Sequence, residues 1–158
     1  MASGELKGHF DVAVAKDLSG KESTSAVSTG DGDGIQITCF TEDLNDVTFH
    51  FQIIRLEKQI YAWIGCNSAK LGHLYAAAPT RPNNAVSVAS ILGGASDNTG
   101  SSIARRIVLK TGLNVILACN IPKNSPMLEA DAERKLMEKL KELGYTRSRS
   151  QGSVLSNS

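Results

Sequence analysis

Around Val47 the chain alternates with a period of two. Val47, Phe49, Phe51 and Ile53 are apolar, and Thr48, His50 and Gln52 between them are polar. Successive side chains of a strand point to opposite faces, so this pattern predicts a strand with one face in a core. Parity alone leaves open which side of the sheet Phe49 and Phe51 occupy. Before this strand, Ile35, Ile37 and Cys39 fall on one side of a first strand, and residues 41–46 read as a polar turn. After it, Arg55, Leu56, Glu57 and Lys58 form a tight turn into a third strand over residues 59–65, apolar on both sides. Residues 73–78 and 85–92 predict a fourth and a fifth strand, separated by the breaker Pro79-Thr80-Arg81-Pro82. The alanine-rich fourth is also compatible with a helix. Residues 114–121 predict a sixth strand.

The period changes to 3.6 in two places. Ile103, Ala104, Ile107 and Val108 share one face of a first helix. It should begin near Asp97 or Thr99, either a good N-cap, and stop at Gly112, a natural left-handed C-terminal residue. Ser125-Pro126 offers an N-cap and a proline at the first helical position of a second helix. Leu128, Ala132, Leu136, Leu140 and Leu143 make its buried stripe, and Gly144 ends it. Asp131 with Lys135 and Glu138 with Lys141 are expected surface pairs, worth about 0.2–0.5 kcal/mol each.

These elements define an α+β fold: a single, mostly antiparallel sheet of about six strands, with two helices on one face. The strand order is open at this level. Six strands at about 4.8 Å spacing span roughly 29 Å. Two helices, each about 10 Å across, cover one face and leave the other. Yet Ile60, Ala62 and Ile64 oppose Tyr61 and Trp63, and Val115, Leu117 and Cys119 oppose Ile116 and Ala118. An apolar second face has to be buried, because soluble monomers seldom expose a large apolar patch. The sheet of another subunit would bury it; Phe10, Val12 and Val14 of the N-terminal segment are the alternative cover. The expected organisation is a flexible segment over residues 1–34, one domain over 35–145, and a disordered Ser/Arg-rich tail over 146–158.

Composition narrows the function. A formal net charge of +1 argues against nucleic-acid binding by bulk electrostatics. No apolar run reaches the roughly 20 residues of a membrane span, and the N-terminal residues lack the apolar core of a secretory signal. The three cysteines, Cys39, Cys66 and Cys119, stand singly in apolar contexts and read as reduced thiols packing as small hydrophobes, so cytosol or nucleus is the expected location.

The candidate chemistry is thin. Asp31, Asp33 and Glu42 occupy three positions of a calcium loop, but Ile35 and Gln36 replace its fifth and sixth residues. His9, His50 and His73 have no metal-ligand spacing, and His50 reads as a rim or packing residue. Glu42, Asp43 and Asp46 read as solvated turn carboxylates. Gly93 to Ser102 runs from a strand into a helix, a setting in which backbone amides often cradle phosphate. It lacks the lysine of a phosphate loop. Arg105, Arg106 and Lys110 would form a basic ridge, either solvated or facing an acidic partner.

Phe49-His50-Phe51-Gln52-Ile53-Ile54-Arg55-Leu56, Tyr61-Ala62-Trp63-Ile64-Gly65 and Val86-Ser87-Val88-Ala89-Ser90-Ile91-Leu92-Gly93 occur here in order. They continue through Ser96-Asp97, Thr99, Ala104-Arg105-Arg106 and Lys110-Thr111. This series resembles the proteasome assembly chaperone 4 family. Gly94 and Gly100 depart from it where an acidic or hydroxyl residue is expected, and the N-terminal segment and the tail are additions. The resemblance implies a small chaperone without catalytic activity or cofactor. Its partner would be a proteasome assembly chaperone 3-like subunit, paired by stacking sheets. The heterodimer would assist formation of the 20S proteasome α-ring, binding α subunits transiently. Tyr61, Trp63, Arg105 and Arg106 are then the candidate partner contacts. The competing readings are a nucleotide- or phosphate-binding enzyme using Gly93 to Ser102, and a homodimeric adaptor of the same fold.

Overall fold

The alternation at Val47 forms β2 (Val47–Arg55), paired antiparallel with β1 (Gln36–Leu44) on one side and β3 (Gln59–Cys66) on the other. The remaining strands are β4 (His73–Pro79), β5 (Val86–Leu92) and β6 (Asn114–Asn120), and the helices are α1 (Thr99–Thr111) and α2 (Pro126–Glu142). This computed structural model describes residues 34–81, 85–93 and 98–148. Phe10, Val12, Val14, His9, the Asp31/Asp33 pair, Gly94, Asp97 and residues 149–158 therefore lie outside the described residues. The strands form one sheet in the order β1-β2-β3-β6-β4-β5. Only the central β3–β6 pair is parallel; the other four pairs are antiparallel. The alanine-rich segment at 73–79 is a strand: flanked by β5 and β6, its backbone groups join two ladders.

One expectation is corrected. Residues 41–46 are not a turn: β1 runs through Leu44, and only Asn45 and Asp46 turn, with φ of 51° and 64°. Two consecutive left-handed residues match the twist of a two-residue hairpin, and Asn and Asp tolerate that conformation. The polar look of Thr41-Glu42-Asp43 hid the alternation Thr38, Phe40, Glu42, Leu44. Phe40 is 3% exposed and Leu44 8%, which anchors the strand to its end. Glu42, on the same side, lies 3.8 Å from Lys135 of α2.

The register settles the parity left open by the sequence. Phe40, Phe51 and Ile64 form one cross-strand row, and Thr38, Ile53, Ala62, Leu117 and Tyr75 form the next. Both rows face the helices. The Phe40 and Phe51 rings stack at 4.6 Å with a 3° interplanar angle. Over them lie Ile103, Ala104, Ile107 and Val108 of α1 and Ala132, Leu136 and Leu140 of α2, all buried as the helical period predicts. Leu128 and Leu143 pack at the margin.

The caps differ in detail from the expectation. Asn98 precedes α1 and Ser125 precedes α2, and neither side chain makes a capping hydrogen bond. Gly112 does end α1 in the left-handed conformation, its amide donating to the Val108 carbonyl. Asp131 pairs with Arg134 instead of Lys135, while Lys135 reaches Glu42 and Glu138. Beyond α2 the Arg147 amide donates to the Lys110 carbonyl at 2.7 Å, so the start of the expected tail lies against α1.

Candidate protein-docking face

Strand alternation places the remaining side chains on the face away from the helices. There the register aligns Ile37, Ile54, Tyr61, Ile116, Ala76 and Ala89 as one row crossing all six strands. Ala89 is exposed and the other five are half-buried. At about 4.8 Å per step the row is roughly 24 Å long. The neighbouring row is mixed: Cys39, Gln52, Trp63, Ala118 and Leu74. The Gln52 amide nitrogen lies 3.7 Å from Cys39 Sγ. The row beyond is polar, with Thr41, His50, Gly65 and Asn120, and Asp43 and Thr48 complete that end. The face thus grades from apolar to polar across the strands.

Of the residues singled out in the sequence, Tyr61 sits in the apolar row, half-buried, and burial raises its hydroxyl pKa above the usual tyrosine value. Trp63 is on the same face but only 3% exposed. Its indole N–H donates to the Lys70 carbonyl at 3.1 Å, which ties it to the segment between β3 and β4. The ring lies across Gly65, where an added Cβ would fall 2.1 Å from Trp63 Cζ2. That glycine is therefore a packing requirement, and it lets the chain's own tryptophan seal one corner of the face.

His50 lies in the polar row, its Nδ1 3.3 Å from Thr41 Oγ1. Burial lowers its pKa below the ordinary 6.5, and Asp43 opposes that in part. Asp43 accepts a hydrogen bond from Thr48 Oγ1 at 2.7 Å. Cys66 and Cys119 are buried and Cys39 half-buried, none of them in a disulfide, and burial pushes the Cys66 thiol pKa up. Among the described residues, no three His, Cys, Asp or Glu side chains gather as a metal site, and no helix is long and apolar enough to cross a membrane.

The expected basic ridge is divided. Arg106 bonds Glu133 of α2, while Arg105 and Lys110 are exposed on α1. Tyr61 and Trp63 belong to the open sheet face, and Arg105 and Arg106 to the helix layer behind it. Of the Gly93 to Ser102 bend, Gly100 is buried, and a Cβ there would fall 2.1 Å from the ring of Tyr75, which is 1% exposed. Close packing of α1 on β4 thus accounts for this glycine without an anion. The sequence reading passed over Ile37, Ile54, Ala76 and Ala89 as docking candidates. Each was visible as a strand residue, but only the register aligns them.

The model of the family described as proteasome assembly chaperone 4 matches residues 48–121, from the start of β2 to the residue after β6. Human proteasome assembly chaperone 4 is 25% identical over 109 residues, covering 69% of this chain and 88% of the human protein. The chain is thus similar to the proteasome assembly chaperone 4 family across β2 to β6. The mouse chaperone of the same name is 25% identical over 101 residues, covering 64% of this chain and 81% of its own. Among solved structures, a chain of a chaperone complex for yeast 20S proteasome assembly is similar, with a TM-score of 0.48 and 14% identity. The similarity covers 68% of this chain and 94% of that one. The family match begins within β2 and so contains five of the six residues of the apolar row, all but Ile37.

Proposed function

We propose that this chain is a non-catalytic assembly chaperone of the cytosol or nucleus that acts by transient protein binding. It pairs through the sheet face opposite its helices with a proteasome assembly chaperone 3-like subunit. The heterodimer then promotes formation of the 20S proteasome α-ring. The observation that carries this reading is the apolar row across all six strands, and the similarity of residues 48–121 to the proteasome assembly chaperone 4 family supports it. Tyr61 contributes from the centre of that row, and Trp63 supports the face from beneath its loop. Arg105, exposed on α1, and Arg106, held by Glu133 of α2, meet proteasome α subunits from the opposite layer. Stacked sheets lie about 10 Å apart, so a similarly twisted partner sheet would take the face out of water. The α-ring contacts are then modest interfaces that mature neighbours can displace.

The chain mixed with a chaperone 3-like subunit is expected to elute at the summed mass of one copy of each, and to recover proteasome α subunits from cell extract. A chain that keeps its monomer mass in the mixture, or forms a homodimer and ignores the subunit, would refute the pairing.

His50 supplies a pH dependence whose sign is fixed. Its folded-state pKa lies below the unfolded 6.5, so the unfolded chain binds the proton more readily. Stability from this residue is complete above about pH 6.5 and falls as pH drops through that value towards the lowered pKa. Pairing that buries the imidazole further has the same sign. Affinity for the partner should then weaken as pH falls below 6.5 and through the lowered pKa of the free chain, by at most about tenfold for each further unit by which pairing lowers it. His50→Gln should flatten that dependence. A wild-type profile matching that of His50→Gln, measured by titration calorimetry, would remove His50 from the interface.

A further inference from the structure

At the end of β2 farthest from the polar rim, Arg55 projects to the helix side, level with Gln36 of β1 and Ile60 of β3. Its guanidinium carbon lies 5.7 Å from the centroid of the Tyr145 ring, beyond the end of α2. Tyr145 Oη donates to Gln36 Oε1 at 2.6 Å, which fixes the ring against the edge strand. Arg55 Nη1 is sealed from solvent and has no hydrogen-bond partner among the described residues. A buried guanidinium N–H without an acceptor is costly, and a native fold seldom leaves one idle. Beside it a groove of about 620 Å³ opens between the start of β1, the β2–β3 turn and the C-terminal end of α2, with Leu56 and Leu143 among its walls.

We propose that this groove is a docking site for the carboxylate of an acidic side chain presented by an extended segment of a partner protein. The planar guanidinium matches a carboxylate, and a turn of the Arg55 side chain that brings the sealed Nη1 edge into the groove would let a charge-assisted bond satisfy it. The surroundings select a single negative charge over a phosphate. Glu57 stands exposed on the rim, and the terminal turn of α2 presents carbonyls carrying partial negative charge. Such a field admits one carboxylate held by one arginine and repels a dianion. The groove borders the outer edge of β1, which no other strand among the described residues covers, so an extended segment can approach along it. The site lies on the helix side of the sheet and is separate from the apolar row; it does not depend on which subunit stacks on that row.

The test is nuclear magnetic resonance on the full chain, titrated with acetyl-Gly-Glu-Gly-amide and with acetyl-Gly-Gln-Gly-amide. The Glu peptide should shift the Arg55 Nε–Hε signal and the Gln36 and Tyr145 amides saturably. The Gln peptide should require at least about tenfold higher concentration. Arg55→Met should abolish the response and Arg55→Lys should weaken it. Should Arg55→Met melt early, Glu57→Gln keeps the question open to test: removing the rim carboxylate should tighten binding of the Glu peptide. No saturable shift, equal response to both peptides, indifference to the Arg55 and Glu57 substitutions, or tighter binding of inorganic phosphate would each overturn the proposal.

Discussion

Phe51→Ala should cost about 3–5 kcal/mol, a large fraction of the roughly 5–15 kcal/mol that holds a domain of this size together. Phe51 is 1% exposed, stacks on Phe40 of the neighbouring strand, and lies 6.3 Å from the Phe49 ring. Removing the ring therefore takes a partner from two aromatic neighbours at once. The walls of the resulting hole are strands held in register by β1 and β3, so they cannot collapse to fill it. The melting temperature of the isolated chain should fall by more than about 10 °C. Phe51→Leu, which keeps most of the volume, should lose far less. A fall of only a few degrees for Phe51→Ala would mean that the core does not hinge on the β1–β2 hairpin. The same substitution should weaken partner binding only in proportion to the folded fraction lost, because the side chain points away from the open face.

Much of this arrangement was legible in the chain. Period-two alternation located β2 and period 3.6 located both helices, because those patterns are imposed by which side must meet the core. Gly112 marked a real helix end, since its left-handed conformation is cheap only for glycine. What failed to show was whatever depends on a neighbour distant in sequence. Glu42 and Asp43 look like turn residues until Lys135 and Thr48 are placed beside them. Trp63 reads as an exposed contact until the Lys70 carbonyl is seen to receive its N–H. Ser125 has the right position for a cap, yet its backbone leaves the hydroxyl without a capping bond. The strand order was undetermined for the same reason: inserting β6 between β3 and β4 is a choice of tertiary packing, with no local signature. The apolar row was half legible. The third and sixth strands betrayed two apolar sides, but only pairing registers turn separate side chains into one stripe.

Ile116→Asp is expected to lower affinity for the proposed chaperone 3-like partner by at least about a hundredfold, because burying an unpaired carboxylate costs several kcal/mol. Ile116 is one of the row's two central residues, directly between Tyr61 of β3 and Ala76 of β4. No cationic side chain shares its row, so the new charge would find no partner on its own sheet. In the unpaired chain Ile116 is half-buried on the open face, and the carboxylate can still reach water there. The fold should therefore survive with a modest loss of melting temperature, while docking a second sheet would strand the charge. Ala89→Asp, at the exposed end of the row, provides a milder version in which folding is not at issue. Leu109→Asp on the outer surface of α1, where Leu109 is 54% exposed, is the matched control. It carries the same charge on the layer assigned to other contacts, and it should leave sheet pairing intact. Equal loss from Leu109→Asp and Ile116→Asp would show that added charge, wherever placed, disrupts the complex. Undiminished pairing by both Ile116→Asp and Ala89→Asp would place the partner elsewhere and remove the apolar stripe from the mechanism. A loss graded from Ile116 through Ala89 to Leu109 is the outcome that only sheet-on-sheet stacking requires, because it follows distance from the centre of the row.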